Sequence, residues 1–273
     1  MRLKIKAVSE KPLFIPLNYQ YPLHSIIYKL IWQSSRKYAE FLHEEGFHAD
    51  LNSPKRFKLF TFSQLKVMPY CFTGAGFDRV RTIEFVYSTA AEKSFEHLVY
   101  GLFAKQDLCL RFGRNTGRFQ VQRVESLPEP QFADSMKFIC LSPITVSTKR
   151  EKADGSGLEV HFLDYLNPTE KDHFCENLFL NLTRKYQTLF QTPYRGATAF
   201  EFQFDPEYLI KRQGRISKLI RFKNDIKIKA FEAPFTVSAD PQLLKVGYQC
   251  GFGEKNSDGF GCVEVVKIDA EGR

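Results

Sequence analysis

The chain has 273 residues, 43 % of them hydrophobic and 15 % aromatic, enough for one large packed core or two of ordinary size. Its six cysteines, at 71, 109, 140, 175, 250 and 262, form no Cys-x-x-Cys knuckle, and no His/Cys/carboxylate cluster has metal-site spacing, so neither a metal nor another cofactor is expected. A formal charge of +8 favours polyanion partners, while the lack of a bilayer-length apolar run or a signal-peptide core points to a soluble, cytoplasmic protein without a membrane partner.

In chain order, residues 1–9 alternate like a strand. Leu23, Ile26, Ile27, Leu30, Ile31, Tyr38, Phe41 and Leu42 follow helical spacing, interrupted midway by Ser34-Ser35. Short strands are expected at Phe57–Phe62 and Val80–Tyr87, and a helix carrying Ala91, Phe95, Leu98, Val99 and Leu102. Leu108–Val124 reads as a final strand or a hairpin, turning near Asn115-Thr116-Gly117. Pro128-Glu129-Pro130 is a linker signal.

The pattern then starts again. Met136–Thr148 is strand-like, and Phe174, Leu178, Leu182, Tyr186 and Leu189 mark a helix opened by Asn167-Pro168. Phe200–Phe204 and Ile226–Ala230 alternate as strands, Pro241–Tyr248 is a short helix, and Cys262–Ile268 a last strand. Both halves spell βαββαβ, which predicts an α+β protein of two tandem ferredoxin-like, RRM-like domains over residues 1–127 and 131–273. That fold hosts many functions and proves none.

Two segments carry chemistry. From Lys211 to Lys229 there are eight basic residues and one acid, Asp225. Lys211, Arg212, Arg215, Lys218, Arg221 and Lys223 are candidate RNA contacts, although on charge alone the segment reads equally as a solvated face. Residues 251–261 read Gly-Phe-Gly-Glu-Lys-Asn-Ser-Asp-Gly-Phe-Gly. Gly251, Gly253, Gly259 and Gly261 allow positive φ and close approach of a phosphate, and Lys255, Asn256 and Ser257 can add charge and donors. The spacing fits neither a dinucleotide fingerprint nor a Walker loop. Gly259-Phe260-Gly261 resembles part of an RRM signature, but Asp258 stands where that motif wants a basic residue.

The loop, preceded by Lys245-Val246-Gly247-Tyr248 and followed by Val263-Glu264-Val265, resembles the C-terminal signature of the CRISPR-associated repeat-cleaving endoribonucleases, within the RAMP superfamily. Leu141-Ser142-Pro143-Ile144-Thr145-Val146, Leu42-His43-Glu44 and Lys58-Leu59-Phe60-Thr61-Phe62-Ser63 carry the resemblance over nearly the whole chain. It implies an enzyme that binds the repeat of precursor CRISPR RNA and cuts it once, without metal, through attack of a ribose 2′-OH. Such chemistry needs a base, an acid and charge on the phosphorane. The family commonly uses a Tyr, a His and a Lys, which fall here on Tyr28, His43 and Lys58. His48 is a rival histidine, and Lys55 and Arg56 are rival cations, because Glu45–Phe57 reads as an inserted loop. Other subunits of an effector complex, or a second copy of the chain, are further candidate partners. A catalytically silent RNA-binding protein or effector subunit of the same fold is the alternative function, and an unselective nucleic-acid binder would fit the charge but not the loop.

Helix geometry constrains this set of residues. Tyr28 and His43 lie fifteen residues apart, about 22 Å along a straight helix. They can share one phosphate only if the helix breaks, and Ser34-Ser35 is the expected break, with Arg36–His43 folding back.

Overall fold

The structure, a computed structural model, describes residues 1–49, 55–113, 115–152, 154–223 and 226–266. Residues 50–54 of the expected inserted loop, Asp225, and Lys267 and Ile268 of the expected last strand lie outside the described residues.

The N-terminal domain opens with β1 (Arg2–Pro16), α1 (Gln20–Ser34) and α2 (Arg36–Glu44). Five short strands follow, β2 (Phe47–His48), β3 (Arg56–Phe57), β4 (Phe60–Phe62), β5 (Lys66–Met68) and β6 (Cys71–Phe72). It closes with β7 (Gly76–Thr89), α3 (Glu92–Lys105), β8 (Asp107–Phe112) and β9 (Asn115–Ser126). The main sheet is antiparallel in the order β4-β7-β1-β9-β8. Every second residue of β1 points inward, so Leu3, Ile5 and Ala7 pack with Leu23, Ile27 and Ile31 of α1 and Leu98 and Leu102 of α3.

The C-terminal domain contains β10 (Ser135–Cys140), β11 (Ser147–Glu151), β12 (Leu158–Phe162), α4 (Pro168–Phe190) and β13 (Glu201–Phe204). Then come α5 (Pro206–Lys211), β14 (Ser217–Arg221), β15 (Lys227–Phe231), β16 (Phe235–Ser238), α6 (Pro241–Cys250) and β17 (Val263–Val265). Its sheet runs β13-β16-β10-β17. Counting the βαββαβ strands from one, with β9 as the fourth in the first domain, both sheets read 2-3-1-4, the first extended at its edge by β8, and the chain is two tandem ferredoxin-like domains. Among the described residues no helix is long and apolar enough to cross a membrane.

Three local expectations need correction. The third strand of the second domain is β16, not Ile226–Ala230. Phe235 and Val237 are wholly buried in the sheet core, whereas β15 pairs with β14 in a separate hairpin and packs Ile228 and Ala230 on Phe260. The stretch Met136–Thr148 is interrupted after Cys140, because Leu141-Ser142-Pro143 runs against Gly261-Cys262 and exchanges backbone hydrogen bonds with it. The aromatic strand Phe57–Phe62 is split at Leu59, whose φ is 55°.

The two domains are joined by buried polar contacts. The Arg2 guanidinium donates to the Val263 carbonyl and lies 4.0 Å over the Tyr248 ring. Ser88 Oγ donates to the Tyr248 carbonyl at 3.2 Å, and the Gln64 backbone amide to the Leu141 carbonyl at 2.8 Å.

Candidate active site

The helix that starts the first domain breaks at Ser35, which is extended at φ −150°, ψ 105°. Its hydroxyl accepts the Tyr38 amide at 3.2 Å and so caps a second helix. Buried Tyr38 anchors that helix through a 2.6 Å hydroxyl contact with Ser94 of α3. α2 therefore folds back along α1. The rings of Tyr28 and His43 meet edge to face with centroids 6.2 Å apart. Lys58 Nζ donates to the His43 carbonyl at 3.1 Å. The structure thus brings Tyr28, His43 and Lys58 together.

The rivals sit elsewhere. His48 lies on β2 opposite Arg56, and its carbonyl accepts from Gln191 of the second domain at 3.2 Å. Arg56 donates to the Glu44 carbonyl, and Lys55 pairs with Glu254 at 2.6 Å. Tyr28 and His43 open onto a cleft of 390 Å³ between α1 and α2, which is also lined by Lys29 and Trp32.

The glycine loop packs against β4 and α1. Gly251, Gly253, Gly259 and Gly261 have φ of 89°, 73°, 90° and 72°. A Cβ on Gly261 would stand 1.9 Å from the Phe252 carbonyl oxygen, and one on Gly259 would stand 2.6 Å from the Phe62 ring, so both positions demand glycine. Asn256 is buried, and its amide donates to the Phe252 and Phe260 carbonyls at 3.2 and 3.0 Å, holding the loop's shape from inside. Lys255, at φ 54°, precedes a 3₁₀ turn over Asn256–Asp258. Thr61 Oγ1 donates to the Phe260 carbonyl at 2.9 Å and fastens the loop to β4. Beneath it, buried Lys185 of α4 donates to the carbonyls of Gly251 and Gly253 at 2.6 and 2.7 Å.

One residue of this cluster is not among the candidates that the sequence suggests. His24 lies one helical turn before Tyr28, with ring centroids 4.6 Å apart. Its Nδ1 is 2.7 Å from the Ser257 carbonyl and 3.4 Å from Asp258 Oδ1, so it bridges the first helix and the loop. The i, i+4 spacing with Tyr28 is a visible but weak signal.

Burial sets the electrostatics. It pushes the Tyr28 phenol far above its ordinary range and lowers His24 below the usual histidine value. It raises Asp258, and together with Arg56 it lowers Lys58 to about 8.

The basic segment divides in two. Lys211 and Arg212 end α5, where Arg212 stacks on Tyr208 at 5.5 Å, and Arg215 follows in the turn before β14. Lys218 and Arg221 lie on the β14–β15 hairpin, with Lys218 3.9 Å from Glu232. The hairpin tip reaches the cluster: Lys223 sits 5.6 Å over Tyr21, and Phe222 meets Tyr21 and His24 edge-on at 5.5 and 6.1 Å.

This assembly has known counterparts. Residues 14–125 match the family described as CRISPR-associated protein Cas6, N-terminal, and residues 127–265 match CRISPR associated protein Cas6, C-terminal. The chain is 34 % identical over 268 residues to CRISPR-associated endoribonuclease Cas6 1 of Methanocaldococcus jannaschii, covering 98 % of this chain and 93 % of that one. It is 33 % identical over 278 residues to CRISPR-associated endoribonuclease Cas6 of Pyrococcus furiosus, covering 97 % and 90 %. A solved structure of a CRISPR associated protein Cas6 superposes with a TM-score of 0.76 at 32 % identity, over 98 % of this chain and 99 % of that one. The chain belongs to the Cas6 family.

Proposed function

We propose that this protein is a CRISPR RNA maturation endoribonuclease that binds the repeat of precursor CRISPR RNA and cuts it once, by metal-independent attack of a ribose 2′-OH on the adjacent phosphate. The P–O5′ bond breaks, leaving a 2′,3′-cyclic phosphate and a 5′-OH. The observation that carries this reading is the meeting of Tyr28, His43 and Lys58: the Ser35 break folds the first two together, and Lys58, between β3 and β4, reaches the His43 carbonyl. The two curated relatives are named as endoribonucleases, which agrees with it.

Each group has a task it is suited to. Tyr28 stays protonated because burial disfavours the phenolate, so it can donate a hydrogen bond to a phosphate oxygen. Lys58, held over His43, offers positive charge to the phosphorane below about pH 8. His43 can exchange a proton with the reacting oxygens. The glycine loop, with Lys255 and Ser257, and the hairpin residues Lys218, Arg221 and Lys223 would hold neighbouring phosphates.

The test is cleavage of a repeat RNA in excess EDTA. Undiminished cutting with cyclic or 3′-phosphate ends is expected. Activity that disappears with chelator and returns with magnesium would overturn the mechanism, and binding without cutting under any condition would leave only an RNA-binding role.

A further inference from the structure

His24 is held in a way that a mere packing residue would not need. The Ser257 carbonyl can only accept a hydrogen bond, so the Nδ1 it faces at 2.7 Å must carry the proton. In the neutral ring this fixes the tautomer and leaves Nε2 as a bare lone pair. Among the described residues, Nε2 makes no hydrogen bond. Asp258 Oδ1, 3.4 Å from Nδ1, adds a carboxylate-type group behind the ring. An acceptor on Nδ1 and a free Nε2 is the arrangement that makes an imidazole a directed general base.

The other members of the cluster are poorer bases. Burial keeps the Tyr28 phenol protonated, and the Lys58 ammonium points its proton at the His43 carbonyl. His43 lies farther from Tyr28, with its centroid 6.2 Å from that ring against 4.6 Å for His24. Two imidazoles therefore contact one tyrosine, and the reaction has two proton transfers to assign.

We propose that His24 is a further catalytic residue: its Nε2 takes the proton of the attacking 2′-OH while His43 delivers a proton to the departing 5′-oxygen. This rests on the 2′-OH reading above and divides its labour. The balance is complete. O2′ bonds to phosphorus as its proton passes to His24, the P–O5′ bond breaks, and O5′ leaves as a hydroxyl with the proton from His43. Solvent restores both histidines. The glycine loop then acts as more than a phosphate cradle, because its Ser257 carbonyl and Asp258 carboxyl set the base.

The pH signature follows from all the groups that face His24. These are Tyr21 and Tyr28 on its own helix, His43 on α2, Asp258 on the loop and Lys223 on the hairpin tip. Burial is the largest influence and lowers the pKa of the ring, so neutral, active His24 persists to below about pH 6.5. The single-turnover rate should rise with pH through a limb on the acid side of that value.

The deciding variants are His24→Ala and His24→Asn. The Asn amide nitrogen reproduces the position of Nδ1 and can keep the hydrogen bond to Ser257, but it supplies nothing at Nε2. Both variants should cut about 10²–10⁴-fold more slowly, lose the acidic limb, melt near wild type in the Asn case, and bind repeat RNA within about threefold of wild type. If His24→Asn cuts at the wild-type rate with its acidic limb intact, His24 is only a strut between α1 and the loop, and the proposal fails. If the rate falls but the limb remains, the proposal fails as well. A substrate with deoxyribose 5′ of the scissile phosphate separates this from the broader reading. Normal cutting of that substrate by the wild type would sink internal attack itself, whatever the histidine variants do.

Discussion

The first helical segment of each domain occupies the same place in the same topology, yet the two have opposite builds. In the C-terminal domain it is α4, 23 residues without interruption. In the N-terminal domain it is two helices of 15 and 9 residues hinged at Ser35. The unbroken helix is a beam. It carries Lys185 beneath the glycine loop and fixes the carbonyls of Gly251 and Gly253. The broken helix is a fold-back that converts fifteen residues of separation into a ring contact. Stiffness in one domain and a hinge in the other give a loop and a pair of rings that meet at one place. Of the two copies of one topology, the one that bends brings distant side chains together.

The fold-back is most vulnerable at its end. His43→Ala should slow single-turnover cleavage by about 10²–10⁴-fold while leaving RNA affinity nearly unchanged. His48→Ala, on a strand that faces α4, should cut normally. A dead His48→Ala beside an active His43→Ala would mean that the ring contact is incidental.

The beam is tested through Lys185. Burial lowers it to about 7, so between that value and the ordinary lysine value of about 10.4 the unfolded chain binds a proton that the folded chain does not. Stability from this residue therefore rises with pH across that window, by up to about 1.4 kcal/mol per unit. Urea titrations at pH 7.5, 8.5 and 9.5 should show wild type gaining on Lys185→Met. Parallel trends would show that the lysine does not titrate there.

The hinge itself should be softer. Ser35→Ala removes the cap of α2 and should cost about 1 kcal/mol of stability, with a loss of rate under tenfold. An undiminished melting temperature would mean that the Tyr38–Ser94 contact alone docks α2.

The smallest effect is expected along the basic hairpin. Lys223→Ala, at the tip over Tyr21, should weaken repeat binding and lower the log–log salt slope by about 0.7–0.9. Lys211→Ala, at the end of α5, should change both less. Equal effects would make the whole segment one diffuse positive face.

Much of this was legible in the residues. Apolar periodicity located every long helix, and the break that Tyr28 and His43 would need to share one phosphate falls where Ser34-Ser35 interrupts the stripe. The cap at Asn167-Pro168 opened α4 as expected, with Asn167 accepting the Thr169 amide at 3.1 Å. What stayed hidden depended on contacts between distant segments. The partner of His24 is a carbonyl 233 residues away, and no local pattern announces it. Asn256 reads as a donor for ligand, yet its amide donates to carbonyls within its own loop, a fact of three-dimensional folding. β15 was the more obvious strand because it alternates over five residues, whereas β16 has only four and wins by burying Phe235 and Val237. The α5 helix escapes notice because six residues give no periodicity, although Asp205 caps it through the Tyr208 amide at 2.9 Å.

The long reach from His24 to Ser257 also sets a schedule. Domains fold in order as the chain leaves the ribosome, at about 5–20 residues per second. The N-terminal sheet and its Tyr28–His43 pair can form while the loop does not yet exist, and the loop arrives on the order of ten seconds later. Contacts so distant in sequence also carry the largest closure entropy and form late in refolding. A newly made molecule thus passes through an interval in which its first domain is folded but its candidate active site is unassembled.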